Sequence, residues 1–185
     1  MKIGLFFGSF NPMHLGHKVI ASYMVEFSDL DKVIFIVSPQ NPFKKNHSLL
    51  PEIHRLAMVE RSIENDFRFK ASNIEFALPK PSYTSDTLAH LVEKYPDYKF
   101  SLIMGEDNLT NLHKWKNADF LVDNYDIYVY PRPGAKPGKF KNASRIHRDA
   151  FWKMHRDGNL RCIAMHLEMH RGNASRKCIA MHSRD

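Results

Sequence analysis

The sequence predicts a single-domain α/β protein built around a doubly wound parallel sheet, and three observations lead to that class. Short apolar segments typical of buried strands alternate along the chain with segments that carry the apolar periodicity of helices. This strand–helix order is typical of a parallel sheet with helices on both faces, as in Rossmann-like folds. The 185 residues, of which 43% are hydrophobic, are enough for one domain with a substantial core.

Six segments are expected to be strands because they are short, apolar and rich in β-branched or aromatic residues. The segment VIFIV shows this signal most clearly, since a strand that is buried on both faces is apolar throughout. In chain order the predicted strands are Ile3–Phe7, Val33–Val37, Phe67–Ala71, Ile74–Leu78, Lys99–Met104 and Ile127–Tyr130.

Four segments are expected to be helices because apolar residues recur in them at spacings of three and four. Ligands of such folds bind at the carboxyl ends of the parallel strands. We therefore expect the loops after Phe7, Val37 and Met104 to converge on one crevice. The predicted helices are Lys18–Phe27, Ile53–Ile63, Thr84–Lys94 and Ala118–Asp123.

The chain carries no signal for a membrane or for secretion. No apolar run approaches the ~20 residues of a membrane-spanning helix, and the apolar start Met1–Phe7 is too short for a signal peptide. The two cysteines, Cys162 and Cys178, form no CxxC pair. A reducing, cytoplasmic location is therefore expected.

The net charge of +7 is concentrated at the C-terminal end of the chain. Residues 1–134 carry 15 Lys and Arg against 16 Asp and Glu, whereas residues 135–185 carry 12 against 4. We therefore divide the chain into a core, residues 1–134, and an atypical basic tail, residues 135–185, in which no strand or helix pattern is clear. The tail is either a poorly structured extension or a stretch whose recorded sequence is in error. Nucleic acid is not an expected partner, because the core shows no basic stripe.

The most informative segment is GSFNPMHLGH, which runs from Gly8 to His17 between the first strand and the first helix. Gly8 and Gly16 allow phosphate oxygens to approach the backbone, and the helix start presents unpaired N–H groups. His14 and His17 lie on one face of the first turn, so both imidazoles can donate to the same anion. The alternatives are a zinc pair, or two histidines that happen to fall on one helix face. Two ligands do not complete a zinc site, and the flanking Gly-Ser-Phe-Asn-Pro turn has no role in one. The segment therefore predicts a phosphate site.

This segment resembles the HxGH motif of the nucleotidylyltransferase superfamily, and its longer form resembles that of bacterial nicotinate-nucleotide adenylyltransferases. The resemblance covers residues 1–134 in five ordered segments. It implies transfer of AMP from ATP to nicotinate mononucleotide, which gives nicotinate adenine dinucleotide and pyrophosphate in NAD biosynthesis. Mg²⁺ would accompany ATP, and His14 and His17 would be catalytic. The ATP-binding residues that the resemblance implies are Gly8, Ser9, Phe10, His14, Gly16, His17, Gly105, Asp107 and Arg132.

The same resemblance implies that Asn11, Lys44, Tyr83, Thr84 and Trp115 bind the mononucleotide. Lys44 would meet its phosphate, and Thr84 would hydrogen-bond the nicotinate carboxylate at the start of a helix. Trp115 offers a flat face to a pyridine ring. No side chain is expected to bind the metal directly, because Mg²⁺ keeps most of its waters.

One segment of the resembled family, Ile-Ser-x-Thr-x-Ile-Arg, which holds the triphosphate, has no counterpart. The nearest string, Asn142–Arg148, matches it poorly. Outside the triphosphate segment, Arg55 is expected to be a structural ion-pair partner and Asp86 to support the site indirectly.

Three alternatives stay open. The acceptor could be nicotinamide mononucleotide or another phosphate compound such as phosphopantetheine. The protein could bind nucleotides without catalysis. It could also be a nucleic-acid binder that acts through its basic tail. The oligomeric state does not follow from the sequence.

Overall fold

A six-stranded, wholly parallel sheet forms the centre of the structure, a computed structural model that describes residues 1–39, 49–132 and 145–147. The strand order is β3-β2-β1-β4-β5-β6, so the direction of winding reverses between β1 and β4. The predicted doubly wound, Rossmann-like sheet is therefore confirmed. The strands are β1 (Lys2–Gly8), β2 (Lys32–Val37), β3 (Phe69–Ser72), β4 (Lys99–Gly105), β5 (Asp126–Tyr130) and β6 (Ile146–His147).

Helices cover both faces of the sheet, because successive side chains of each central strand point to opposite faces. In β1, Phe6 joins the apolar cluster beneath the first two helices, whereas Leu5 joins the cluster beneath the third and fifth. The helices are α1 (Leu15–Phe27), α2 (Glu52–Ile63), α3 (Thr84–Lys94), α4 (Glu106–Thr110) and α5 (Ala118–Asn124), with 3₁₀ turns at Ile74–Ala77 and Leu112–Lys114.

The strand predicted at Ile74–Leu78 is wrong, since Ile74–Ala77 forms a 3₁₀ turn. Alternating apolar residues suggested a strand, but the polar residue between them, Glu75, is only 2% exposed. Its carboxylate accepts hydrogen bonds from Ser82 and Thr87, and the turn places it there. Burial of this carboxylate with its hydroxyl partners overrides the local strand pattern.

Two further differences from the predicted elements concern ends of the sheet. The third strand begins at Phe69 rather than Phe67, whose side chain is 86% exposed. Strand β6, which the sequence did not predict, pairs with β5, and His147 stacks on Tyr128 with ring centroids 4.8 Å apart. The string Asn142–Arg148 lies largely outside the described residues, as does most of the predicted tail.

Opposite the carboxyl ends of the strands, an ion-pair network ties the sheet together. Lys2 Nζ lies 2.7 Å from a carboxylate oxygen of Asp29 and 2.8 Å from one of Asp126. His147 Nε2 of β6 lies 3.7 Å from Asp126. The network therefore joins the central strand β1 to β5 and to the edge strand β6. Among the helices of the described residues, none has the length and apolarity needed to cross a bilayer.

Candidate active site

A pocket opens at the carboxyl ends of β1 and β4, at the point where the winding reverses. Open parallel sheets bind ligands at such switch points, because the loops diverge there and leave a crevice. Of the loops predicted to converge, the one after Met104 contributes Asn108 and Trp115 to this pocket. The start of the loop after Val37 is hydrogen-bonded to the end of β1, since the N–H of Ser38 donates to the carbonyl of Gly8 over 2.9 Å. The pocket is lined by Phe6, Phe7, Leu102, Ile103, Met104, Asn108 and Trp115.

The two histidines of the HxGH motif lie together at the start of α1. His14 is the N-cap residue, and His17 is the third residue of the helix. Their rings are stacked, with centroids 3.8 Å apart and planes inclined by 28°. The main-chain N–H of His14 donates to Nδ1 of His17 over 3.2 Å. In the neutral ring of His17, the proton therefore resides on Nε2, which is a hydrogen-bond donor.

His17 lies in an apolar and positively charged environment. The edges of Phe6 and Phe10 pack on its ring at centroid distances of 6.0 and 5.2 Å. Burial, together with the charges of His14 and Arg132, lowers the pKa of His17 to about 4. At neutral pH, His17 of the free protein is therefore an uncharged donor.

Two glycines provide the space for these rings. A Cβ atom on Gly16 would lie 3.1 Å from the imidazole of His14, and one on Gly8 would lie 2.9 Å from the ring of Phe10. Phe10 itself has a φ of 44° and is only 3% exposed, so its side chain belongs to the core. The predicted contact of Phe10 with ATP could therefore involve only its main-chain atoms.

Arg55 holds the loops around the site in place, and the sequence did not predict this arrangement. Its guanidinium is 1% exposed and donates to the carbonyls of Ser9, Ser38, Pro39 and Leu50. Burial lowers its pKa from the ordinary value for arginine. The expected structural role is present, but main-chain carbonyls take the place of the expected ion-pair partner. A single side chain thus joins the loops that follow β1 and β2.

Asn11 also connects these loops, because its Oδ1 accepts the N–H of Leu50 over 3.2 Å. The predicted mononucleotide residue Asn11 therefore stands between the HxGH segment and the chain that leads into α2. Lys44, predicted to meet the acceptor phosphate, lies outside the described residues.

The loop after β4 contains the acidic residue predicted to bind ATP. Asp107 Oδ1 is buried and lies 3.3 Å from Nε of Arg132, yet it accepts no hydrogen bond of good geometry within the described residues. A Cβ atom on Gly105 would lie 2.4 Å from this oxygen and 3.1 Å from the same Nε atom. A side chain at residue 105 would therefore require Asp107, Arg132 or both to move.

The predicted acceptor residues come from two neighbouring segments. Tyr83 is the N-cap of α3, 36% exposed, and Lys116 Nζ lies 5.1 Å from the centre of its ring. Lys116 also pairs with Asp86 over 2.8 Å, which joins the start of α3 to the segment that contains Trp115. Trp115 is half-buried and lines the pocket. The structure thus brings the α3 start and the Trp115 segment together.

The predicted site residues that the structure describes form two groups. The first group contains the histidine pair, in the segment from Gly8 to His17, together with Gly105, Asp107 and Arg132. The positive charge of Arg132 contributes to the lowered pKa of His17, which links the two parts of this group. Thr84 and Tyr83 begin α3 beside the Trp115 segment. Within the described ranges, no three His, Cys, Asp or Glu side chains are grouped closely enough to hold a metal ion.

Comparisons with known proteins agree with this architecture. Residues 5–173 match the cytidylyltransferase-like family. A probable nicotinate-nucleotide adenylyltransferase of Christiangramia forsetii is 54% identical over 151 residues, which are 80% of this chain and 78% of the relative. Its counterpart of the same description in Cytophaga hutchinsonii is 59% identical over 133 residues, 72% of this chain and 69% of the relative.

A solved structure shares the fold. The nicotinic acid mononucleotide adenylyltransferase of Plasmodium falciparum, complexed with NaAD, superposes with a TM-score of 0.66 at 19% identity. The match covers 78% of this chain and 71% of that one. At this low identity, the likeness concerns the sheet and its helices alone.

Proposed function

The chain belongs to the cytidylyltransferase-like family, and on that premise we propose that it is a nicotinate-nucleotide adenylyltransferase. It transfers AMP from ATP to nicotinate mononucleotide and releases pyrophosphate, a step of NAD biosynthesis. The observation that carries the proposal is the stacked pair His14–His17 at the start of α1, beside a pocket lined by Trp115. Phe6 contacts the ring of His17 and also lines this pocket, which supports a site shared by phosphate donors and an aromatic face.

In the proposed reaction, a phosphate oxygen of nicotinate mononucleotide attacks the α-phosphorus of ATP. A new P–O bond forms, the bond from the α-phosphorus to the bridging oxygen breaks, and pyrophosphate leaves with the electron pair. The attacking oxygen is already ionised at neutral pH, so the protein supplies no nucleophile and no base. Its contribution is to position the two substrates and to stabilise the charge on the phosphates.

The histidine pair stabilises that charge. Nε2 of His17 donates a hydrogen bond to a phosphate oxygen, because Nδ1 is occupied by the N–H of His14. His14 contributes a second imidazole on the same face of the helix. The first-turn N–H groups of α1 add donors and a partial positive charge. These groups are fixed before substrate arrives, which is the condition under which such donors are most effective.

The remaining parts of ATP are assigned to the loop after β4. Asp107, whose side chain is 44% exposed and whose Oδ1 pairs with Arg132, is a carboxylate suited to accept from a ribose hydroxyl. Gly105 leaves room for the Asp107–Arg132 pair, and the half-exposed Arg132 offers its guanidinium to the nucleotide. Gly8, Ser9, Phe10 and Gly16 contribute main-chain surface.

The acceptor is assigned to the other side of the pocket. Trp115 stacks on the pyridine ring, while Tyr83 and Thr84 place the start of α3 near the carboxylate of nicotinate. A carboxylate is favoured over a carboxamide at a helix N-terminus, because the first N–H groups are unpaired donors there. Asn11 and Lys44 complete the assignment at the phosphate of the mononucleotide.

Mg²⁺ is part of the proposal as the partner of ATP. It neutralises phosphate charge, and it characteristically keeps several waters while binding substrate phosphates. The cytoplasmic location expected from the sequence belongs to the same proposal, since ATP is the co-substrate.

Pyrophosphate release tests the proposal. The full chain is assayed with ATP and Mg²⁺, with nicotinate mononucleotide in one arm and nicotinamide mononucleotide in the other. We expect release that is much faster with the nicotinate form. Faster release with the amide contradicts the assigned acceptor. Binding of ATP by folded protein without release in either arm contradicts the activity and indicates a nucleotide-binding module.

A further inference from the structure

A buried carboxylate lies behind the start of α3. Glu75, in the 3₁₀ turn Ile74–Ala77, is 2% exposed. The hydroxyl of Ser82 donates to its Oε2 over 3.0 Å, and the hydroxyl of Thr87 donates to its Oε1 over 2.8 Å. Both donors are themselves buried, Ser82 at 8% exposure and Thr87 at 0%. Each oxygen of the carboxylate therefore has one hydroxyl partner.

The partners of Glu75 are unusual for a buried acid. Buried carboxylates are commonly paired with a cation, because removing the charge from water is costly. In the described part of the chain, Glu75 is hydrogen-bonded to two hydroxyl groups, and no cationic side chain pairs with it. An apolar residue would stabilise this part of the core more simply. We infer that the carboxylate is needed because it fixes the positions of Ser82 and Thr87.

That geometry concerns the first turn of α3. Ser82 and Thr87 flank Tyr83 and Thr84 in sequence, so Glu75 holds the chain on both sides of the helix start. The Thr87 hydroxyl also lies 3.2 Å from the carbonyl oxygen of Tyr83, which accepts the N–H of Thr87 over 3.1 Å. The side chain of Tyr83 makes no capping hydrogen bond. The helix start is thus fixed from within the core rather than by its own cap.

We propose that Glu75 is a positioning residue for the acceptor site. Through Ser82 and Thr87 it sets the direction of Tyr83 and of the first N–H groups of α3, which the proposed function assigns to the pyridine mononucleotide. Glu75 itself touches no substrate. The inference rests on the proposed function, and its specific consequence is that loss of Glu75 weakens acceptor binding while leaving ATP binding unchanged.

The test separates the two substrates. Glu75→Gln is nearly isosteric but removes the negative charge and turns one acceptor oxygen into an amide donor. One hydroxyl must then accept instead of donate, and both charge-assisted hydrogen bonds are lost. We expect the KM and the calorimetric Kd for nicotinate mononucleotide to rise about tenfold, with the KM for ATP changed less than about twofold. Ser82→Ala combined with Thr87→Val should reproduce this pattern, and Glu75→Gln added to that pair should weaken acceptor binding little further.

The matched controls distinguish positioning from stability. Glu64→Gln changes an exposed glutamate at the end of α2 and should leave both KM values as they are. A parallel rise of both KM values in Glu75→Gln, or a lower Tm with an unchanged Kd for the mononucleotide, overturns the positioning role. A wild-type chain that binds no nicotinate mononucleotide overturns the proposed function as well. If wild type and Glu75→Gln bind nicotinate mononucleotide with equal affinity, the positioning role alone is overturned.

Discussion

The imidazole of His17 lies stacked on that of His14, and its Nδ1 accepts the main-chain N–H of His14. The hydrogen bond selects the tautomer of His17 that carries its proton on Nε2. The stacking sets the direction of that proton, because the two rings support each other on one helix face. The histidine pair thereby becomes an oriented donor site, and no acidic side chain of the described residues pairs with either ring.

Replacement of His17 by alanine is expected to lower kcat by about 10²-fold or more, because it removes one donor that acts on the phosphates in the transition state. The KM values should change far less. Steady-state pyrophosphate release provides the measurement. His90→Ala is the control, since it removes an exposed imidazole from the middle of α3. Unchanged turnover in His17→Ala would refute the catalytic assignment.

The lowered pKa of His17 predicts a specific loss of stability in acid. Burial and the charges of His14 and Arg132 lower this pKa to about 4 in the folded protein. In the unfolded chain the group protonates near 6.5, so the unfolded state gains protons first as the pH falls. The free energy of unfolding should therefore decrease from about pH 6.5 towards pH 4, with no such effect above pH 7.

Urea unfolding of substrate-free protein at pH 7 and pH 5 measures this effect. Between the two pH values, wild type should lose about 1 kcal/mol more than His17→Asn, after an allowance for solvent screening of the partly exposed ring. Equal losses in both proteins would show that His17 does not carry the effect.

Gly105→Ala is expected to weaken ATP binding. The added Cβ would lie 2.4 Å from Oδ1 of Asp107, and the carboxylate must move away from Arg132 to relieve the clash. The KM for ATP should rise about tenfold, with a smaller change for the mononucleotide. Ser101→Ala, at a buried position nearer the start of the same strand, provides the control. An ATP KM equal to that of the control contradicts the assignment of this loop.

Arg55→Met should destabilise the protein by about 3 kcal/mol or more, because four carbonyls lose their donor inside the structure. Arg55→Lys keeps the charge but not the planar group, so it should recover only a part of the loss. Thermal and urea unfolding measure both effects. Arg61→Met, on the exposed face of the same helix, is the matched control. Equal stability of Arg55→Met and Arg61→Met would contradict this role.

Trp115→Ala should raise the KM for nicotinate mononucleotide by up to about tenfold, as expected for the loss of one aromatic contact. Binding is also visible by fluorescence in a Trp152→Phe background, where Trp115 is the remaining tryptophan. Nicotinate mononucleotide should quench that emission in a saturable manner. Emission that does not respond to a mononucleotide bound by calorimetry would remove Trp115 from the acceptor site.

The sequence predicted the parts of the fold that depend on local pattern. The buried strand Val33–Val37 and the turn from Gly8 to His17 carry their signals within a few residues, and both appear as expected. The hydrogen-bond partners of Arg55 and Glu75 could not be predicted from the sequence, because tertiary contacts determine them. Ser9 is 46 residues away from Arg55, and Thr87 is 12 residues away from Glu75. The roles assigned to Lys44 and the other substrate contacts stay predictions.

Strand order also determines when the crevice can form during synthesis. Strand β1 precedes the other described strands along the chain and so leaves the ribosome before them, yet it lies in the middle of the sheet, between β2 and β4. Residues 99–105 of β4 emerge almost a hundred residues later, and until then β1 has an open edge with apolar residues on both sides. A nascent chain released before that point exposes this edge to other chains. The strand that leads directly to the His14–His17 pair is thus also a strand whose premature exposure favours aggregation.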